Sequence, residues 1–556
     1  MACKHARPSR TSGGARAVAK WCVAIGCAAC FSIPAASRGE ETPCAPAAFE
    51  KDGPLGVEEL TARIDAALAA AWARDNVEPA PPADDAEFLR RVCLDVIGKI
   101  PSVAEVEQFL ADTSADKRKR VVDELLRRGA HAQHFSNTWR GLMLVGAADN
   151  VQSQLNTPQF ETWLRLRFAV NMSYDRLVRE LLTAPVEAEQ PGAPNQMRSF
   201  VPSPAAFFQA NELKREMIAA STTRIFLGVQ VQCAQCHDHP FSHWTRREFW
   251  SLAAFFDAAP GPDGAKKATL GSPNAILIPD TEIVVEPAFL DGSAPDWKSS
   301  GNKRELLSRW ITQTDNPFFA RAAVNRLWDH FLGRGFVDPV DDLDKANPPS
   351  HPALLDEMAR QFAAHGFDLN YLIRAITASR AYQLSSRAES VGEGDLARFA
   401  RVPIRRMTAD QLFASIVEAT GYRQQRRAMR GGQPLVDLAS AAAEFRNRFA
   451  DQSVPRTEAE TSILQALALM NGKLVSDATD LETSETLVAV AEAPFLSTPQ
   501  RVESLFMASL SRRPDPEELS RLASYVERGG AAQNPKQALA DVFWVLLNSA
   551  EFALNH

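Results

Sequence analysis

The sequence predicts an all-α, multihelical protein in two helical domains, joined by a Pro/Gly-rich linker that carries a short β segment. Three observations support this. Helical periodicity starts near Val57 and runs with few interruptions to about Phe256; Pro, Gly, Asp and Lys dominate 258–301; and helical periodicity returns at Arg304 and holds to the end. A chain of 556 residues exceeds what one comfortable core supports, so more than one domain is expected. The expected boundaries are a signal peptide over 1–37, a spacer over 38–56, a helical domain over 57–260, a linker over 261–302 and a second helical domain over 303–556.

At the start, Lys4, His5, Arg7, Arg10, Arg16 and Lys20 precede an apolar stretch from Trp21 to Ile33, followed by the small-residue run Pro34-Ala35-Ala36-Ser37. This is the pattern of a cleaved secretory signal. The stretch is shorter than the roughly 20 apolar residues of a membrane span. The mature chain is therefore expected to be exported, periplasmic or extracellular, with no transmembrane helix after cleavage.

Helix starts are marked by Asp84 with Glu87 and by Ser102 with Glu105, both spaced as capping boxes. Between Asp116 and Arg128, Val121, Val122, Leu125 and Leu126 form one apolar face, and Lys117, Arg118, Lys119 and Arg120 form a solvated face opposite it. Alternation from Ile276 to Val285 predicts a short strand pair or an edge strand within the linker. In the second domain, Leu369, Leu372, Ile373 and Ile376 take the spacing of a buried helix face, and Thr408 with Gln411 and then Gly421 bound another helix.

Apolar residues at 45 % and charged residues at 23 % are ordinary globular values and argue against wholesale disorder. The net charge of -7 and the lack of a basic stripe with interleaved aromatics argue against a nucleic-acid partner. The sequence contains no phosphate-binding Gly-rich loop, nucleophile elbow or zinc-protease motif. Of its eight cysteines, Cys44, Cys93, Cys233 and Cys236 follow the signal. Cys44 and Cys93 form a candidate disulfide.

The most specific chemistry lies in Cys233-Ala234-Gln235-Cys236-His237, followed by Asp238, His239, Pro240, Phe241, Ser242, His243 and Trp244. Two thiols at this spacing can each add across a vinyl group of one porphyrin, with the next His as proximal iron ligand. Haem c is the expected cofactor, bound by Cys233, Cys236 and His237, and the expected role is electron transfer or redox chemistry with a partner protein. Three other readings stand beside it: a Cys233/Cys236 disulfide staple in a secreted binding or assembly module, a zinc site in which His239 and His243 join the thiols, and a hydrolytic metal site that uses His237 and His239. No Met lies between Cys236 and Met358, so the candidates for a sixth ligand are Met197, Met217, His134, His330 and His351.

The second domain carries a polar-aromatic run in which Arg321, Asn325, Trp328 and Asp329 fall close to one helical face. It reads first as a structural network and second as the lining of a hydrolase site. Ser350-His351-Pro352 reads as an N-cap with Pro in the first turn, and Asp341, Asp342 and Asp344 as a solvated turn ahead of a calcium loop.

With these residues in view, the first domain resembles the planctomycete cytochrome-c-associated family called PSCyt-two, a domain of unknown function. The resemblance rests on the run from Arg90 and Arg91 through Asp95 to Gly98, and on the run from Cys233 to Phe241. The second domain resembles its companion, PSD-one, through Asn325, Arg326, Trp328, His330, Gly333 to Gly335, and Ser350 to Pro352. The resemblance implies a large exported protein with a haem-c motif, found in secreted repertoires associated with polysaccharide breakdown. The chain departs from the pattern at Cys93, where an aromatic is usual, and at Lys99-Ile100, where Leu-Pro is usual.

Overall fold

The computed structural model describes residues 53–145, 151–185, 201–256, 273–387, 396–422, 442, 445–446 and 473–556. All of them lie in one compact unit, Phe49–His556. The segment expected to be a signal peptide, Cys44, Met197 and residues 257–272 of the linker region lie outside the described residues.

Among the described residues there are 21 α-helices and two two-stranded antiparallel sheets, so the fold is predominantly α. The first segment contributes α1 (Val57–Asp75), α2 (Asp85–Ile97), α3 (Val103–Ala111), α4 (Lys117–Arg127), α5 (Gly129–Met143), α6 (Val151–Ala169), α7 (Tyr174–Thr183), α8 (Ala205–Ala210), α9 (Arg215–Thr222) and α10 (Arg246–Ala253). The short pair β1 (Ile276–Leu277) and β2 (Val284–Val285) follows, in the alternating segment that predicted it. The second segment contributes α11 (Lys303–Ile311), α12 (Phe319–Leu332), α13 (Pro352–Ala364) and α14 (Leu369–Ala378), then β3 (Arg405–Arg406) and α15 (Ala409–Thr420). The chain closes with α16 (Lys473–Ala478), α17 (Glu485–Glu492), α18 (Thr498–Leu510), α19 (Pro516–Glu527), α20 (Pro535–Leu547), α21 (Ala550–Ala553) and β4 (Leu554–Asn555), which pairs with β3.

Local signals set many of these boundaries. Ser102 and Thr408 form complete capping boxes with Glu105 and Gln411, and Gly421 ends α15 in the left-handed conformation. Asp84 caps α2 through the Glu87 amide, but the Glu87 carboxylate is drawn inward to Arg91, Ser385 and Ser386. At α13 the N-cap is His351, one residue beyond Ser350, with Pro352 in the first turn. The basic face of α4 is more engaged than a solvated face: Lys117 and Arg118 both pair with Asp85, and Lys119 pairs with Glu58.

The core crosses the boundary between the two segments. One continuous apolar cluster contains Leu60, Trp163, Phe226 and Phe249 from the first segment together with Phe319, Trp328, Phe362 and Ile376 from the second. A smaller cluster under α15 and α18 to α20 takes in Leu94 from α2 and Ile100 beyond it.

The two segments also share buried polar contacts. Arg405 donates to both oxygens of Asp95, at 3.1 and 2.8 Å, with Tyr382 and Asn555 completing the carboxylate's partners. Arg90 is sealed from water and donates to the carbonyls of Ser509, Glu551 and Phe552. Burial pushes its pKa down to about 10. The run from Arg90 to Gly98 is thus the polar seam between the segments, which satisfies buried charges that would otherwise be costly.

Candidate functional site

The dithiol turn begins with a change of helical type. Helix α9 passes into a π-helical turn, Thr223–Leu227, which ends at Gly228 with φ +65°. At Gly228 a Cβ would meet the Leu343 side chain at 2.7 Å, so both the left-handed backbone and the close approach require glycine. Val229 and Val231 then point into the core while Gln230 and Gln232 face out, and a 3₁₀ turn, Gln232–Gln235, carries the first cysteine. Ala234, fully buried, is the peg of this turn.

Around that peg the chemical groups face outward. Cys233 and Cys236 are exposed free thiols, and His237 is exposed. His237 Nδ1 donates to the carbonyl of Asp238 at 2.7 Å, which assigns the proton to Nδ1 and leaves the Nε2 lone pair as the metal-binding atom. The turn is anchored from α10: Trp250 Nε1 and Arg246 Nε both donate to the Gln235 carbonyl, at 3.0 and 3.2 Å, and Asp238 accepts the Arg246 amide. Thr245 and Glu248 form the capping box that starts α10.

His239 and His243 have other duties. His239 Nδ1 accepts the amides of Phe241 and Ser242, at 3.3 and 3.0 Å, closing a loop whose base is the bond from the His239 amide to the Trp244 carbonyl at 2.8 Å. Phe241 stands 86 % exposed at the tip. His243 lies 3.9 Å from the Asp344 carboxylate, which also accepts the Ser242 hydroxyl. Burial works against the charge on Asp344, but the bonds from Ser242 and the Ala346 amide and the nearby His243 and His239 leave its pKa lowered. Among the described residues, no group of three or more His, Cys, Asp and Glu side chains is placed to hold a metal ion.

The remaining candidates are placed as follows. His330 Nε2 donates to the Asp95 carbonyl at 2.9 Å and its ring lies against His134, so both belong to the buried seam beside α2. His351 sits near Phe336 and Phe399, bonded to Ser350. Met217 is half-buried on α9. Cys93 is a fully buried free thiol, and burial pushes its pKa up. Asn325 is buried and bonds the carbonyls of Val337 and Val340, and Trp328 is fully buried, while Arg321 pairs at the surface with Asp356. Asp341 is taken up by Arg224 and Arg326, not left solvated.

Sequence reading missed the partnership between the dithiol region and the 341–347 turn. A separation of 102 residues between Ser242 and Asp344 hid it.

The fold and turn define a class: a multihelical protein presenting a Cys-x-x-Cys-His turn at its surface. Residues 63–260 match the PSCyt2 family model, a protein of unknown function (DUF1549), and residues 303–439 and 437–526 match the PSD1 model, a protein of unknown function (DUF1553). The chain thus carries a PSCyt2 region followed by a PSD1 region. No curated protein and no solved structure matches it.

Proposed function

We propose that the 233–237 turn carries covalent haem c, with Cys233 and Cys236 as thioether ligands and His237 Nε2 as iron ligand, and that the exported protein exchanges electrons with a partner protein. The observation that carries this reading is the combination on one anchored turn of two exposed free thiols and an exposed imidazole whose Nδ1 is already engaged. Each thiol would add across one vinyl group, forming a C–S bond and leaving its proton on the adjoining carbon, so attachment consumes no oxidant. When bound, haem supplies one-electron chemistry at its iron.

The chain's own contribution is positioning. The Ala234 peg and the Trp250 and Arg246 bonds fix the spacing of the thiols, and the Asp238 carbonyl fixes the tautomer and ring orientation of His237. The zinc reading has less support, because His239 Nδ1 and the His243 ring are turned to partners within the loop and to Asp344. The secretory pattern at the start of the chain favours haem, since covalent attachment is a property of exported cytochromes.

Protein exported from a host with c-type haem maturation is expected to show a pyridine haemochrome spectrum that survives denaturation and is lost in Cys233→Ala and Cys236→Ala. A colourless wild type overturns the reading.

A further inference from the structure

The 341–347 turn, which follows α12 in the second segment, grips the dithiol region on both flanks. Upstream of the cysteines, the Leu343 amide donates to the Gly228 carbonyl at 2.8 Å, and the Leu343 side chain fills the space that a Cβ on residue 228 would need. Asp341 holds Arg224 at 3.1 Å and also pairs with Arg326, whose guanidinium reaches the Arg224 carbonyl at 3.3 Å. Downstream, Asp344, only 10 % exposed, accepts the Ser242 hydroxyl and lies 3.9 Å from His243. The five residues that carry the chemistry are therefore held between two grips from one turn.

We propose that the 341–347 turn is a latch that sets the position of the dithiol turn, making Asp341 and Asp344 positioning residues and the second segment a working part of the site. The latch deepens the haem reading, but its geometry stands on contacts that need no haem. Its physical basis is local stability. The 238–244 loop has one internal backbone bond and the His239 cap, so the contacts to the turn set how often the region opens. A second consequence concerns charge. Asp344 brings a carboxylate against the loop that follows His237, and a nearby negative charge favours the oxidised state of an iron centre.

The test is hydrogen exchange on the full chain made without haem maturation, comparing wild type with Ser242→Ala and Asp344→Ala. Peptides covering 229–245 and 339–347 are expected to exchange roughly ten-fold faster in both variants, which corresponds to a loss of about 1.4 kcal/mol. Peptides from α2 and α20 should be unchanged. Ser242→Ala removes a single hydroxyl, so it remains informative if Asp344→Ala fails to fold. Unchanged exchange over 229–245 in Ser242→Ala, or acceleration spread evenly over the chain, overturns the latch.

Because that chain carries no haem, its result is separate from the haem reading, which fails only if wild type from the haem-maturing host is colourless. In coloured protein, Asp344→Asn keeps an acceptor for Ser242 and removes the charge, and the midpoint potential should rise. An unmoved potential overturns the electrostatic role of Asp344.

Discussion

Asp95 and Arg405 stand 310 residues apart in the chain, yet their carboxylate and guanidinium meet at 2.8 Å with both side chains sealed from water. The pair belongs to the seam that makes one core of the two matched segments. Leaving either charge alone in that interior would be costly, because no solvent reaches it.

Asp95→Ala is therefore expected to destabilise the chain by about 3–5 kcal/mol, since it strands Arg405 and removes the partner of Tyr382 and Asn555. Urea denaturation followed by circular dichroism reads this. A loss under about 1 kcal/mol would mean that the seam contributes little to stability.

The junction at Gly228 gives a second expectation. Gly228→Ala faces a left-handed backbone, costing about 1 kcal/mol, and a clash with Leu343, costing about 1–3 kcal/mol as overpacking. The variant should show a lower thermal midpoint and faster exchange of the Leu343 amide. A midpoint equal to wild type would contradict the close approach seen at that residue.

Ala234 separates seating from chemistry. Ala234→Leu leaves Cys233, Cys236 and His237 intact but has no room for the added volume at a fully buried position. Haem stain per folded protein should fall several-fold if the peg positions the thiols. Full haem content in this variant would show that the motif alone suffices.

His351 supplies a pH dependence. Burial and the neighbouring Arg74 push its pKa down to about 4, below the ordinary value near 6.5. A half-buried neutral imidazole of this kind contributes stability that is fully present above about pH 6.5 and is lost as pH falls through 4, because the unfolded chain binds the proton first. Urea midpoints should drop between pH 7 and pH 5, and drop less steeply in His351→Leu. Equal slopes would remove His351 from the account.

Much of the architecture was legible in the sequence because it is written locally. Ser102 with Glu105, Thr408 with Gln411 and Gly421 mark helix ends through groups a few residues apart, and the Ile276 to Val285 alternation announced the strand pair. The Cys-x-x-Cys-His run was legible for the same reason. What the sequence concealed lies across long separations: Asp95 with Arg405, Leu343 with Gly228, and Ser242 with Asp344. Periodicity also describes a helix without saying how its polar face will be used. Lys117 and Arg118 looked solvated and instead pair with Asp85, and Asp341 looked like part of a free acidic turn and instead holds two arginines.

The most direct test of the central claim is the intact mass of the chain exported from a host with c-type haem maturation, measured after denaturation and again on the peptide containing Cys233 and Cys236. The account predicts a species heavier by one haem, with the added mass on that peptide. A peptide at its unmodified mass, or lighter by the two hydrogens of a disulfide, would contradict it.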